Sequence, residues 1–89
     1  MTYKIRITET AKKEINKKLN NTQLANLNKR VNDKLTTGPD VYGKPLRKPL
    51  SGTWEIRFER RYRLEYEIDY PYHEVIITGF KHKDETKNR

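Results

Sequence analysis

The chain has 89 residues, enough for one domain, and its lack of cysteine excludes disulfides and thiolate metal sites. Its formal net charge of +8 favours a polyanionic partner such as nucleic acid, although a lysine-rich soluble protein would show the same balance. The sequence has no N-terminal signal-peptide pattern and no apolar segment of roughly 20 residues, so we expect a cytoplasmic protein.

The first twenty residues predict a strand followed by a helix. Residues 3–8 alternate apolar and polar side chains, as a half-buried strand does. Residues 11–19 carry an apolar side chain at every fourth position, which forms one stripe along a helix. Thr8 or Thr10 is predicted to cap the start of this helix.

A second helix is predicted over residues 24–35, where leucine and valine recur with helical spacing. Thr22 is the predicted N-cap. Gly38 suits a left-handed residue after a helix and Pro39 cannot continue one, so the helix is predicted to end here. The short connection makes the two helices antiparallel neighbours.

Residues 39–52 contain three prolines and two glycines, which predict a loop. This loop is basic, because it includes Lys44, Arg47 and Lys48.

The second half of the sequence predicts three strands joined by tight turns. Residues 54–58 and 62–68 alternate between apolar and mostly charged side chains, with a turn at 59–61. A second turn at 69–74 leads into residues 74–80, which are apolar on both faces, as in a central strand.

The order strand, helix, helix, strand, strand, strand predicts a single α+β domain over residues 1–89. We expect two antiparallel helices packed on one face of a mostly antiparallel sheet, with the other face open. The side chains predicted to face the helices are Trp54, Ile56, Phe58, Leu64, Tyr66 and Ile68.

The open face of this sheet is the candidate functional surface. Arg57 and Arg63 share one side of neighbouring strands, Arg61 shares their alternation, and Arg60 lies at the turn.

The last strand can be placed in two ways, because it is apolar on both sides. If Val75 faces the helices, alternation puts His82 on the open face. If Ile76 faces the helices instead, Lys81 and Lys83 point to the open face.

Clustered guanidinium groups and an imidazole suit the cleavage of RNA. Arginine stabilises the extra negative charge of a pentacoordinate phosphorane, and histidine can protonate the leaving 5′ oxygen. The 2′-hydroxyl nucleophile belongs to the substrate, so this chemistry needs no metal or other cofactor. The two histidines, His73 and His82, also lack the spacing of a metal site.

A purely structural interpretation of the same residues stays open. Cross-strand Arg–Glu pairs are common on wet sheet faces and contribute about 0.2–1 kcal/mol each. His82, close to the end of the chain, is equally compatible with no functional role.

Two stretches resemble the RelE/ParE superfamily of toxins from type II toxin–antitoxin systems. They read KPLSGTWEIRFERRYRLEYEI and VIITGFKHKDE. Their order and spacing resemble the family pattern of an aromatic-initiated strand, a Tyr-Arg strand and a closing strand with a basic end. The resemblance covers nearly the whole chain and implies a RelE-like sandwich.

The resemblance implies a toxin that inhibits translation as a ribosome-dependent, metal-independent mRNA endoribonuclease. It also implies a cognate antitoxin that holds the toxin inactive, with the ribosome and mRNA as further partners. The ParE branch shares the fold and blocks DNA gyrase instead. An inactivated relative that binds only its antitoxin or RNA is the third interpretation.

Residue by residue, the resemblance implies catalytic roles at four positions. Arg63 matches the arginine that contacts the scissile phosphate, and Arg57 matches a basic position on the preceding strand. His82 and Lys83 match the segment that supplies a proton donor or a phosphate ligand. Lys44, Arg47 and Lys48 fall where the family has a basic loop that meets RNA. From their charge and their place at the turn or on the last strand, Arg60, Arg61 and Lys81 are also predicted to bind nucleic acid.

Two departures from the family pattern bear on catalytic strength. Many family nucleases end in an aromatic residue, commonly tyrosine, and residues 84–89 contain none. Glu55 stands where the family often has a basic residue.

Overall fold

The computed structural model of the chain describes residues 2–46 and 52–85. The sheet has the strand order β1-β5-β4-β3-β2; β1 runs parallel to β5 and the other pairs are antiparallel. This confirms the predicted α+β class. The elements are β1 (Lys4–Ile7), α1 (Glu9–Lys18), α2 (Asn21–Arg30), a π-helical turn (Val31–Leu35), α3 (Pro39–Tyr42), β2 (Lys44–Pro45), β3 (Trp54–Phe58), β4 (Tyr62–Asp69), β5 (Glu74–His82) and a 3-10 turn (Lys83–Glu85).

Side-chain caps set where the two long helices begin. The Thr8 hydroxyl accepts a hydrogen bond from the Ala11 amide at 3.2 Å, which confirms one of the two predicted caps of α1. The prediction for α2 is wrong, because Asn20 and not Thr22 is its N-cap. Asn20 and Gln23 each accept a hydrogen bond from the other's backbone amide, and this capping box starts the helix earlier.

The connection after α2 is more ordered than its proline and glycine content predicts. Gly38 has φ −154° and is not left-handed; it precedes the short helix α3 instead of closing α2. Pro39 suits the first position of α3, where no backbone donor is needed. Residues 39–45 are therefore not loop, because they form α3 and β2.

The core lies between the sheet and the helices, as predicted. Ile56, Phe58, Leu64 and Tyr66 are buried in it, and Trp54 and Ile68 pack partly buried against it. The other buried apolar side chains are Ala11, Ile15, Leu19, Leu27, Val31, Leu35, Val75, Ile77 and Phe80. Among the described residues, no helix is both long and apolar enough to cross a lipid bilayer.

A β-bulge interrupts the pairing of β4 with β5. Glu65 lies opposite Gly79, but the next residue, Tyr66, lies opposite Ile77, so Thr78 has no direct partner on β4. One extra residue on β5 reverses the alternation of its side chains at this point.

The bulge decides which side chains of β5 reach the open face. Val75, Ile77 and Phe80 are all buried in the core, although strict alternation would separate Phe80 from the other two. Beyond the bulge, Lys81 therefore lies on the open face and His82 on the face of the helices. Each of the two predicted placements of β5 is right for one half of the strand.

Candidate functional site

Three cations form a row across the open face, which we call the cation row. Arg57 of β3 lies directly opposite Arg63 of β4, and Arg63 lies directly opposite Lys81 of β5. Arg57 is exposed, whereas Arg63 and Lys81 are half-buried. The row thus contains two residues predicted to be catalytic, Arg57 and Arg63, and one residue predicted to bind nucleic acid, Lys81.

Two glutamates form the next row on the same face. Glu55 lies opposite Glu65, and Glu65 lies opposite Gly79. Both glutamates are only 9% exposed. A Cβ on Gly79 would stand 3.0 Å from Glu65 Oε1, so the carboxylate leans over this glycine.

The two rows meet at Arg63, whose Nη1 lies 3.2 Å from Glu55 Oε1. This diagonal contact is the kind of Arg–Glu pair that the structural interpretation predicts. Within each row, the charged residues that stand directly opposite one another nevertheless have the same sign, an arrangement that destabilises an antiparallel pair. An anion bound to the cation row would relieve this repulsion, while Glu55 fixes the orientation of the central guanidinium.

His82 lies at the rim of the sheet and not on the face of the cation row. It is opposite Tyr62, and the two rings meet edge-on with centroids 5.6 Å apart. Its Nδ1 is 3.2 Å from the Asp84 amide nitrogen and 3.5 Å from Asp84 Oδ2. A neutral imidazole accepts from the amide and an imidazolium donates to the carboxylate, so Asp84 orients the ring in either state.

The turn between β3 and β4 brings further cations to the same end of the sheet. Glu59 and Arg60 both have left-handed backbones, with φ 53° and 63°. The Lys83 amide donates to the Arg61 carbonyl at 2.6 Å, which joins the segment after β5 to this turn. Arg60, Arg61 and Lys83 are exposed there.

A pocket of about 240 Å³ opens on the β3 edge of the sheet, beside the cation row. Lys44 of β2 lies opposite Glu55 and contributes to its lining. Arg30, which the sequence reasoning missed, reaches the pocket from the end of α2, and its Nε donates to the Arg57 carbonyl at 3.0 Å. The lining residues are Arg30, Tyr42, Lys44, Glu55, Ile56 and Arg57.

The other two residues predicted to bind nucleic acid, Arg47 and Lys48, lie outside the described residues. Within residues 2–46 and 52–85, no group of three or more histidines and carboxylates is arranged to hold a metal ion.

Comparison with known proteins gives close relatives among toxins. The chain is 35% identical to Toxin RelG of Mycobacterium tuberculosis over 89 residues, which is all of both proteins. It resembles a chain of the toxin–antitoxin complex RelBE2 from Mycobacterium tuberculosis with a TM-score of 0.84 and 35% identity, over 92% of each chain. No protein-family model matches the chain.

A mutant of the E. coli toxin RelE, solved in complex with an antitoxin RelBc peptide, shares the fold with a TM-score of 0.72. Its identity is 23%, and the match covers 99% of this chain and 94% of that one. The full-length identity to Toxin RelG and the agreement in fold confirm the predicted resemblance: the chain belongs to the RelE family of toxins of toxin–antitoxin systems.

Proposed function

We propose that this toxin is a ribosome-dependent, metal-independent endoribonuclease that inhibits translation by cutting mRNA in the ribosomal A site. The observation that carries the proposal is the cation row, in which Arg57, Arg63 and Lys81 stand directly opposite one another. A phosphate of single-stranded RNA is the anion that suits such a row on an open face.

In the proposed reaction, the 2′-hydroxyl of the substrate gives its proton to solvent water and its oxygen attacks the adjacent phosphorus. The new O2′–P bond forms while the bond from phosphorus to the 5′ oxygen breaks, giving a 2′,3′-cyclic phosphate and a 5′-hydroxyl. Arg63, at the centre of the row and oriented by Glu55, stabilises the charge on the pentacoordinate phosphorus. Arg57 and Lys81 hold the non-bridging oxygens from either side.

The leaving 5′ oxygen needs a proton, and we propose His82 as its donor. Imidazole is the side chain that exchanges protons near neutral pH. The other histidine, His73, lies in the turn before β5, at the opposite end of that strand. His82 is 35% exposed at the rim and is next in sequence to Lys81. In the proposed complex, the substrate reaches His82 around the end of β5.

The surrounding cations form the proposed footprint on RNA and ribosome. Arg60, Arg61 and Lys83 are exposed beside the cation row, and Lys44 is exposed on the β3 edge. Their role is attraction and positioning of phosphates, which is independent of RNA sequence.

The proposed regulator is a cognate antitoxin, as in the solved complexes of the related toxins. A toxin with a net charge of +8 favours an antitoxin with an acidic, amphipathic segment that folds on binding. Co-expression of the small acidic protein from the adjacent reading frame is expected to relieve toxicity and to raise the melting temperature. Failure of that protein to co-purify would contradict this partner.

The enzymatic proposal is tested by toeprinting a translated message in the presence of the purified protein, alongside a gyrase supercoiling assay. We expect new 5′ ends at the A-site codon and unchanged supercoiling. An intact message together with inhibited supercoiling would assign the protein to the gyrase-blocking branch. An intact message with unchanged supercoiling and no growth arrest would mark an inactivated relative.

A further inference from the structure

The pocket on the β3 edge combines an exposed aromatic ring with clustered cations. It lies where β3 continues past the two-residue strand β2, and α3 and the end of α2 close its sides. We propose that this pocket is a nucleotide subsite: it binds one nucleotide of single-stranded RNA, with the base against Tyr42 and the phosphate among Arg30, Lys44 and Arg57.

The charge of the pocket suits one phosphate group. Arg30, Lys44 and Arg57 supply three positive charges against the single carboxylate of Glu55. That carboxylate is paired with Arg63 at 3.2 Å, so its negative charge is partly offset. The sum is a positive pocket that attracts a phosphodiester without a metal ion.

Arg30 is held in place by the edge of the sheet. The carbonyl of Arg57 accepts a hydrogen bond from Arg30 Nε, which uses one of the five N–H donors of the guanidinium. The paired terminal nitrogens of a guanidinium suit bidentate contact with a phosphate.

Tyr42 provides the stacking surface for the base. Its side chain is 49% exposed, unlike most aromatic residues of this chain, which pack in or against the core. Lys34 Nζ lies over one face of the ring, 4.5 Å from its centroid, so a base would stack on the other face. An exposed aromatic ring beside cations is the combination that binds single-stranded nucleic acid without sequence preference.

The helix that carries Tyr42 is fixed to the body of the protein. The buried Tyr66 hydroxyl donates to the Pro39 carbonyl at the start of α3. The Tyr42 ring also lies close to Gly38, where a Cβ would stand 3.2 Å from its edge. The backbone that carries the ring is therefore anchored, which reduces the conformational freedom that binding a base would cost.

Arg57 belongs both to this pocket and to the cation row. A nucleotide in the pocket is therefore adjacent to the phosphate on the row. This position within the message rests on the proposed function, whereas nucleotide binding itself does not require cleavage.

Binding is measured by titrating the full-length protein with adenosine 5′-monophosphate, and separately with inorganic phosphate, while amide shifts are followed by NMR. For the wild-type protein, we expect AMP to shift the amides of Arg30, Tyr42 and Lys44. Tyr42→Leu should weaken AMP binding roughly tenfold, because it removes one stacking contact, and should leave phosphate binding unchanged. Tyr42→Phe should bind AMP like the wild type.

The phosphate part of the subsite is tested with Arg30→Gln, which should weaken AMP and inorganic phosphate alike. The matched controls are Tyr72→Leu, which removes a tyrosine that is 79% exposed in the turn before β5, and Lys13→Gln on α1. Both controls should bind AMP like the wild type. Unchanged AMP affinity in Tyr42→Leu, or shifts centred away from the pocket, would overturn the subsite.

Message cleavage separates this inference from the proposed function. If the wild-type protein binds AMP in the pocket but leaves mRNA intact, the nucleotide subsite is supported and the proposed nuclease activity is excluded. If the wild-type protein cuts mRNA, and Tyr42→Leu cuts mRNA and binds AMP equally well, the nuclease activity is supported and the nucleotide subsite is excluded.

Discussion

Arg63 stands at the centre of the site because the regular part of the sheet puts it there. Its neighbours across the strands are Arg57 and Lys81, and Glu55 lies diagonally within 3.2 Å. The sequence predicts that Arg57 and Arg63 share a face, since both precede any irregularity of their strands. Alternation alone does not show that like charges stand directly opposite, because that depends on the register of pairing.

The position of His82 shows where side-chain alternation no longer predicts which face of the sheet a residue occupies. The bulge opposite Glu65 and Tyr66 changes the face of every later residue of β5. Gly79 is the one signal in the sequence, because glycine inside a strand often marks a bulge. That signal does not give the side on which the extra residue falls, so Lys81 and His82 could not be assigned from the sequence.

The proposed proton donor is tested by His82→Gln. The substitution removes the imidazole at this end of β5, so cleavage should slow and the pH–rate profile should lose one limb. Binding of a non-cleavable RNA with 2′-deoxy substitution should persist. If rate and pH profile both match the wild type, the donor is Lys83 or a ribosomal group.

At the scale of elements, the segment 39–45 differs most from its prediction. Its two prolines and one glycine favour a loop, but a distant contact orders it: the Tyr66 hydroxyl donates to the Pro39 carbonyl. Burial, with smaller contributions from Asp40 and Tyr70, raises the pKa of Tyr66 above its ordinary value. Contacts between residues 27 positions apart are invisible to local patterns, which explains the difference.

Tyr66→Phe tests this anchor of α3. The substitution leaves the Pro39 carbonyl without its donor and should lower the free energy of unfolding by about 1–2 kcal/mol at pH 7, as measured by urea denaturation. Because the folded-state pKa of Tyr66 is raised, its contribution is complete below about pH 10 and is lost as the pH rises further. The difference in the free energy of unfolding between the wild type and the variant should therefore shrink above about pH 10. Equal stability of the two proteins at pH 7 would contradict the anchoring role.

At the scale of the whole molecule, several of the positive charges are concentrated on one part of the sheet, where they can attract a polyanion. The cation row, the turn at Arg60 and Arg61, and the pocket on the β3 edge lie on adjoining parts of β3 to β5. The fold class and the open face follow from the sequence, because β1, β3, β4 and the two long helices each have a clear hydrophobic period. The pocket on the β3 edge does not follow from the sequence, because it brings Arg30 of one helix next to residues that are distant in the chain.

Salt dependence tests whether these charges meet nucleic acid. Affinity for a single-stranded RNA should fall by about 0.7 log units per tenfold rise in salt for each phosphate contact. Replacing Arg60 and Arg61 by glutamine should reduce this slope, whereas replacing Lys12 and Lys13 on α1 should leave it unchanged. A flat dependence in the wild-type protein would show that the charges serve solubility alone.

The role of Arg63 is tested most directly by the single-turnover rate of mRNA cleavage on programmed ribosomes, measured for the wild type, Arg63→Ala and Arg63→Lys. Arg6→Ala is the matched control, since Arg6 lies on the edge strand β1 and pairs with Glu74 at 3.4 Å. We expect Arg63→Ala to cut roughly 10²–10³-fold more slowly, because a contact made in the transition state is lost. Arg63→Lys should restore the stability lost with the Glu55 pair but little of the rate, because an ammonium lacks the planar fork of arginine. Arg6→Ala should cut at the wild-type rate. Unchanged cleavage by Arg63→Ala, or full recovery of the rate with lysine, would contradict the claim that the cation row holds the scissile phosphate.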